Sequence, residues 1–192
     1  MISTQLFEGK QVQLRGYDLE EDPRIESAWS YDLTYTYLRS PELMRPMTAL
    51  EFKELAEADM RRMEERQLYL FAIQSRVDGR LLGVARVYRL SWNHGNAFLR
   101  VALGEKSMDS DEILCDCLSL MLNFCFYEMN LFRVTLETPE YQTSLVDCAK
   151  ISGMSEEARQ RKSVFMNGQI YDLLLLGIIR REWQEKMEHG LG

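Results

Sequence analysis

The chain has 192 residues and a formal net charge of −7 at pH 7, with 46% hydrophobic and 28% charged residues. These values are typical of one globular domain that can bury a substantial core, and we take residues 1–192 as that domain. The acidic balance argues against a general nucleic-acid binder, which needs clustered Lys and Arg to displace phosphate counterions. It does not exclude a basic protein or peptide partner.

The sequence carries no membrane, secretion or metal signal. The longest apolar run, Leu173 to Ile179, is too short to span a bilayer, and residues 1–10 contain no apolar signal core. The two histidines, His94 and His189, exclude a His-rich metal site, and we expect no metal. Four cysteines fall inside predicted helices: Cys115, Cys117, Cys125 and Cys148. We therefore expect a cytoplasmic protein without membrane contact, whose thiols are reduced and mostly buried.

The first half of the chain predicts one strand, helices and then three antiparallel strands. In chain order these are a strand over 10–15, a helical stretch around Ile25 and Trp29, an ambiguous aromatic segment over 31–39, a helix over 48–67, and strands over 68–74, 81–90 and 97–103. Thr48 and Glu51 form a capping box at the start of the long helix. Asp78-Gly79 is a hairpin signal between the first two of the three strands.

The second half alternates helices and strands. Its predicted elements are a helix over 111–129, a strand over 131–137, a helix over 144–152, strands over 163–166 and 170–176, and a helix over 180–188. Gly153 is a left-handed cap candidate, and Asn167-Gly168 is the signature of a type I′ turn. The order of elements predicts a mixed α/β domain with a single sheet.

Five motifs follow one another over nearly the whole chain. They are Leu14-Arg15-Gly16 with Glu21-Asp22; Phe71-Ala72-Ile73 with Asp78-Gly79 and Leu82-Gly83; the run from Phe124 to Val134; Gly153-Met154 with Glu157-Ala158 and Arg161; and Asn167-Gly168 with Asp172 and Glu182-Trp183. In this order and spacing they resemble the GNAT superfamily of N-acetyltransferases, and more narrowly its ribosomal-protein alanine acetyltransferase branch.

The resemblance implies an α/β (α+β mixed) fold, with a mostly antiparallel twisted sheet of about seven strands flanked by helices. It implies acetyl transfer from acetyl-CoA to an amine, either a protein or peptide N-terminus or a small molecule. It also implies that the chain can form a homodimer.

The loop that binds the acetyl-CoA pyrophosphate in that family falls on Asp109 to Leu114. Asp109, Glu112 and Leu114 stand where the family has Gln or Arg and small residues. A carboxylate adds bulk and a like charge against a polyanion, which disfavours ordinary binding. One interpretation is a helix that is capped by its own Asp109 and Glu112 and binds CoA weakly or not at all. The other is a cleft that tolerates these residues.

The resemblance also implies roles for individual residues. The candidate catalytic base is Glu105, and the candidate acid for the departing thiolate is Tyr141 or Cys148. The candidate cofactor-binding residues are Val101, Leu103, Ser110, Glu112, Leu114, Gln142 and Ser144. The acceptor side is expected near the aromatic residues Trp29, Tyr31, Tyr35 and Tyr37, which core packing explains equally well, and near His94.

Two functions follow from these observations. The first is a GNAT-type N-acetyltransferase. The alternative is a non-catalytic module of the same fold that has lost normal acetyl-CoA binding and acts by binding a partner or ligand.

Overall fold

A single seven-stranded sheet organises the molecule, whose computed structural model describes residues 6–104 and 111–189. The strands are β1 (Val12–Arg15), β2 (Tyr69–Ser75), β3 (Leu81–Ser91), β4 (Asn96–Leu103), β5 (Arg133–Pro139), β6 (Ser155–Met166) and β7 (Gln169–Ile179). The helices are α1 (Asp22–Trp29), α2 (Leu33–Arg39), α3 (Ala49–Glu64), α4 (Asp111–Asn123), α5 (Thr143–Ile151) and α6 (Arg180–His189). The strand order is β1-β2-β3-β4-β5-β7-β6, and only β4 and β5 pair in parallel. The predicted mixed domain with a mostly antiparallel sheet is confirmed.

Each face of the sheet carries its own apolar core. Helices α1, α2 and α3 cover one face, where Phe52 and Leu70 are buried. Helices α4 and α5 cover the other face, where Leu118 and Leu136 are buried. Because both faces are covered, the central strands read as apolar runs rather than as strict alternations of apolar and polar residues.

Helix α3 begins at the predicted capping box. The Thr48 hydroxyl accepts the Glu51 N–H at 3.3 Å, and the Glu51 carboxylate accepts the Thr48 N–H at 2.8 Å. The helix has 16 residues and buries one stripe against β2. Neither α3 nor any other helix in the described part of the chain has the length and apolar character to cross a bilayer.

The long helix predicted over 111–129 is α-helical only as far as Asn123. A π-helical turn continues it over Phe124–Glu128, and the Met129 N–H donates to the Phe124 carbonyl at 3.0 Å. This wider turn contains the aromatic residues Phe124 and Phe126, whose rings are buried. The Phe124 ring packs edge-on against Phe71, while Phe126 stacks on Trp183.

The final hairpin is longer than the prediction. Strand β6 starts at Ser155 instead of 163; it is an edge strand, and its first nine residues are exposed. A strand that is exposed on both faces has no apolar alternation by which the sequence could reveal it. The predicted type I′ turn is confirmed, with φ of 51° at Asn167 and 78° at Gly168.

Helix α5 ends at Gly153, as predicted. The glycine has φ of 92°, and its N–H donates to the Lys150 carbonyl at 3.0 Å. The next N–H, of Met154, donates to the Ala149 carbonyl at 2.9 Å. These two bonds form a Schellman motif, which satisfies the last carbonyl groups of the helix and turns the chain into β6.

Candidate active site

The parallel strands β4 and β5 separate toward their carboxyl ends. The last pair of residues that the two strands form in the sheet is Leu99 with Leu136, although β4 continues to Leu103 and β5 to Pro139. Among the described residues, no pair joins the two strands beyond that point. A gap therefore opens near the middle of the sheet.

Backbone groups of β4 face this gap. The Gly104 N–H donates to the Leu82 carbonyl of β3 at 2.9 Å. Because hydrogen bonding alternates along an antiparallel ladder, the even-numbered residues of β4 turn their backbone toward β3. The N–H and C=O groups of Val101 and Leu103 therefore point toward β5, where the ladder has already ended.

A cavity of about 50 Å³ lies at the gap. It is lined by residues of α2, β4, α4 and α5 and their flanks: Asp32, Thr34, Tyr35, Leu38, Val101, Leu103, Leu114, Gln142 and Leu145. This volume accommodates a few water molecules or a group of acetyl size. The fold thus brings four of the predicted cofactor-binding residues together: Val101, Leu103, Leu114 and Gln142.

The other predicted site residues are placed differently. Glu105 and Ser110 lie outside the described residues. Ser144 is half-buried on α5 and does not line the cavity. Glu112 is exposed in the first turn of α4 and does not line the cavity.

Tyr141 lies immediately before α5, next to the cavity residue Gln142. Its ring contacts Tyr171 edge-on at 4.8 Å, and its hydroxyl is buried without a hydrogen-bond partner among the described residues. Burial raises the pKa of Tyr141 to about 12, and the nearby Tyr37 adds to this effect. The hydroxyl is therefore protonated at neutral pH.

Carboxylates at the start of α4 contact the residues around β1. The Asp116 carboxylate accepts the backbone N–H groups of Gln11 at 2.7 Å and Val12 at 3.0 Å. The Glu112 carboxylate accepts the side-chain amide of Gln11 at 3.2 Å. Asp109 lies outside the described residues, so the predicted cap by Asp109 and Glu112 stays a prediction.

The expectation that all cysteines are reduced is wrong for two of them. Cys115 of α4 and Cys148 of α5 form a disulfide, with their Cα atoms 4.9 Å apart. Both lie in helices, as predicted, but the two helices pack side by side. Cys148 therefore has no thiol proton to donate. Of the two candidate acids, Tyr141 is the one that still carries a proton. Cys117 and Cys125 are free and buried, and burial raises the pKa of both thiols.

Asp32 is a cavity residue that sequence reasoning missed. It is the N-cap of α2, where its carboxylate accepts the Thr34 N–H at 2.9 Å. Its charge also helps to raise the pKa of Tyr141. An Asp before a helical segment is a recognised N-cap signal, but the ambiguity of residues 31–39 concealed it.

The aromatic residues expected on the acceptor side divide into two groups. Trp29 and Tyr35 are buried in the core, with ring centroids 5.2 Å apart. Tyr37 is half-buried, whereas Tyr31 is 79% exposed. His94 is exposed in the turn before β4, at the opposite end of that strand from the gap.

A buried ionic network lies between the sheet and α1 to α3. The Glu26 carboxylate accepts the hydroxyls of Tyr17 and Tyr35 and the Arg39 Nε–H, the last at 2.9 Å. The Arg39 guanidinium also reaches Asp59 at 3.3 Å. Burial raises the pKa of both tyrosines, and the Glu26 charge raises it further. Burial alone would lower the pKa of Arg39, but the two carboxylates raise it.

Solved structures of acetyltransferases share this fold. A probable acetyltransferase is 18% identical with a TM-score of 0.78, covering 93% of this chain and 97% of that one. The spermidine N-acetyltransferase from Vibrio cholerae, in complex with CoA and spermine, is 16% identical with a TM-score of 0.75, covering 91% and 98%. A ribosomal L7/L12 alpha-N-protein acetyltransferase in complex with coenzyme A is 12% identical with a TM-score of 0.75, covering 90% and 97%.

The likeness to these proteins is one of structure. No protein-family model matches the sequence, and no curated protein matches it at a significant level. At identities below 20%, superposition over more than nine tenths of the chain establishes the fold alone. The chain has the fold of the GNAT N-acetyltransferases.

Proposed function

We propose that the protein is an N-acetyltransferase that moves the acetyl group of acetyl-CoA to an amine. The observation that carries this proposal is the gap between β4 and β5, where the backbone groups of Val101 and Leu103 face a small cavity that is lined by Gln142, the sequence neighbour of Tyr141. Two solved proteins of the same fold were determined with CoA bound, and both are acetyltransferases that act on amines.

Each described residue has a distinct task in this reaction. The N–H groups of Val101 and Leu103 can donate to carbonyl oxygens of the donor and stabilise the oxyanion that forms when the amine attacks. The Tyr141 hydroxyl can give its proton to the departing thiolate. The amine must lose a proton, and Glu105 is the predicted base for this step. Asp32, whose carboxylate lines the cavity, is the candidate base among the described residues.

The two ends of the donor meet different environments. The acetyl and pantetheine end fits the gap, because unpaired backbone amides and a buried hydroxyl are the partners that amides and a thiolate need. The pyrophosphate end would meet Glu112, an exposed carboxylate in the first turn of α4. We therefore propose that acetyl-CoA binds mainly through its pantetheine end and that Glu112 weakens the binding.

The acids of α4 are also the observation that favours the rival function, a non-catalytic binding module. Calorimetry with acetyl-CoA, and mass spectrometry of amines incubated with the full chain, separate the two functions. Acetyl-CoA at about 100 times its dissociation constant should stabilise the protein by about 2.7 kcal/mol. Absence of binding at millimolar acetyl-CoA, together with absence of acetylated product, would refute the enzyme.

Variants assign the roles. Tyr141→Phe should lower kcat by about a hundredfold, the low end for a general acid, and leave acetyl-CoA affinity unchanged. Tyr31→Phe is the matched control, because Tyr31 is exposed away from the cavity lining. Glu112→Gln should tighten acetyl-CoA binding by about two- to fivefold, since it removes one charge near a polyanion. Glu128→Gln, at the far end of the same helical segment, is its control.

A further inference from the structure

Four arginines line a second cavity, on the sheet face that α1 to α3 cover. We call this the arginine cavity; its volume is about 320 Å³, and its arginines are Arg62, Arg86, Arg89 and Arg100. Its carboxylates are Asp59 and Glu42. Arg86 of β3 and Arg100 of β4 are directly paired across the strands. Two like charges opposite one another destabilise a sheet unless anions compensate them.

The carboxylates around the arginine cavity are already engaged. Asp59 is shared between Arg86 at 2.7 Å and Arg39 at 3.3 Å. Glu137 of β5 is shared between Arg100 at 2.7 Å and Arg89 at 3.3 Å. The Tyr88 hydroxyl of β3 donates a third hydrogen bond to Glu137, at 3.0 Å. In the described part of the chain, each carboxylate that pairs with these arginines is shared between two guanidinium groups.

Positive charge is therefore in excess. Among residues 6–104 and 111–189, the cluster has five guanidinium groups, counting Arg39, against four carboxylates, counting Glu26 of the buried network and Glu42. The Glu42 carboxylate accepts the hydroxyl of Ser40 rather than a guanidinium hydrogen bond. Arg62 is exposed and forms no ion pair with any described residue.

Two observations show the effect of the excess positive charge on Arg86. The Nε–H of Arg86 is buried without a hydrogen-bond partner among the described residues. Burial lowers the pKa of Arg86 to about 10, and the positive charges of Arg39, Arg100 and Arg62 contribute to this. An anion in the cavity would offset the repulsion between the guanidinium groups.

The backbone conformation directs the Arg89 side chain toward the arginine cavity. Arg89 has φ of 49°, and the register of β3 with β4 shifts between Tyr88 and Ser91. Regular alternation would send Tyr88 and Arg89 to opposite faces of the sheet. The bulge instead brings the Arg89 guanidinium over the Tyr88 ring and within reach of Glu137.

The arginine cavity adjoins the proposed reaction centre. Arg100 and Glu137 directly follow Leu99 and Leu136, the last pair before β4 and β5 separate. Arg100 is adjacent in sequence to Val101, whose backbone faces the gap. A ligand anchored by its anionic group at Arg100 can therefore extend its other end toward the gap.

We propose that the arginine cavity binds a carboxylate or phosphate group of the acceptor, so that the acceptor is an amine that also carries an anionic group. This specificity rests on the proposed acetyl transfer. A polycation such as spermidine lacks the anionic group and would be repelled by the excess of guanidinium groups. Carboxylates and phosphates share the planar or forked acceptor geometry that arginine recognises.

The binding half of the proposal is tested without any turnover. The thermal unfolding midpoint of the full chain is measured in sodium acetate and in sodium phosphate, against sodium chloride of equal ionic strength. We expect at least one of the two anions to stabilise the protein, and the more effective one identifies the preferred group. The double variant Arg62→Gln/Arg89→Gln should bind that anion at least about tenfold more weakly, as expected for lost charged hydrogen bonds.

Arg61→Gln is the matched control, because Arg61 is the neighbouring exposed arginine of α3 and does not line the cavity. Arg61→Gln should bind the anion as the parent protein does. If neither anion stabilises the protein, the proposal is overturned. It is also overturned if the double variant retains the stabilisation in full.

Turnover tests the acceptor. The full chain with acetyl-CoA is offered β-alanine and O-phosphoethanolamine, and in parallel butylamine and spermidine. We expect an anionic amine to have the highest kcat/KM and the double variant to raise its KM. Acetylation of butylamine or spermidine at least as efficiently as both anionic amines overturns the proposed acceptor while acetyl transfer stands. Anion binding with the expected variant effects, but no acetylated product, overturns acetyl transfer while the anion site stands.

Discussion

Replacing Arg39 by methionine should destabilise the protein by about 3–5 kcal/mol, the usual loss when one partner of a buried ion pair is removed. The Arg39 side chain is 1% exposed, and it loses its contacts with Glu26 at 2.9 Å and Asp59 at 3.3 Å. Two hydrogen bonds to charged groups, at about 1.5–3 kcal/mol each, give a similar sum. Methionine fills much of the volume, so the loss reports the stranded Glu26 carboxylate and the lost Asp59 contact rather than a cavity.

Urea unfolding followed by circular dichroism measures this change. For a chain of this size, a loss of this magnitude lowers the thermal midpoint by about 6–20 °C. Arg45→Met is the matched control, because Arg45 pairs with Glu51 at 2.7 Å but is 55% exposed. That surface pair should contribute no more than about 1 kcal/mol.

A second substitution isolates the charge. In the Arg39→Met background, Glu26→Gln should recover part of the lost stability, since it removes the carboxylate that has lost its guanidinium partner, whereas Asp59 keeps Arg86. If Arg39→Met cost less than about 1 kcal/mol, or if Glu26→Gln gave no recovery, the reasoning that the network is dry and charge-paired would be refuted.

Three further changes test the rest of the fold. Burial raises the pKa of Tyr141 to about 12, so the folded chain keeps a proton that the unfolded chain releases near pH 10. The contribution of this proton to the free energy of unfolding is full below pH 10 and is lost as the pH rises toward 12. Urea midpoints at pH 8 to 11 should show the decrease. Reduction of the Cys115–Cys148 disulfide, which closes a loop of 33 residues, should cost about 3–4 kcal/mol, and an unchanged midpoint in dithiothreitol would contradict this. Gly104→Ala places a Cβ 1.9 Å from the Trp29 ring and should cost about 1–3 kcal/mol by the same assay.

Local signals in the sequence were sufficient for several elements of the fold. The capping box of Thr48 and Glu51 and the turn at Asn167-Gly168 depend only on neighbouring residues, and the structure contains both. The edge strand β6 was only partly predicted, because its first nine residues are exposed and carry no alternation. The π-helical turn after Asn123 was missed, because a run of buried aromatics has the same composition in either kind of helix.

Contacts between distant segments were harder to predict. The pairing of Cys115 with Cys148 depends on how α4 packs on α5, and helical periodicity does not reveal this. The resemblance predicted Val101 and Leu103 as cofactor-binding residues, but the gap that exposes their backbone groups is a property of the sheet. Asp32 reaches the cavity only because α2 packs on β4, and an N-cap signal does not reveal that packing.

The start of α4 explains why a donor can be expected to bind through one end only. Three of its residues are committed to other neighbours: Glu112 contacts Gln11, Leu114 lines the cavity, and Cys115 is bonded to α5. The affinity for the donor should then come mostly from the pantetheine end. Acetyl-pantetheine, which lacks the nucleotide and pyrophosphate, should bind within about threefold of acetyl-CoA in calorimetry, whereas each charged hydrogen bond to a pyrophosphate would add about tenfold or more. A preference of a hundredfold or more for acetyl-CoA would show that the chain holds the pyrophosphate after all, with groups other than these three.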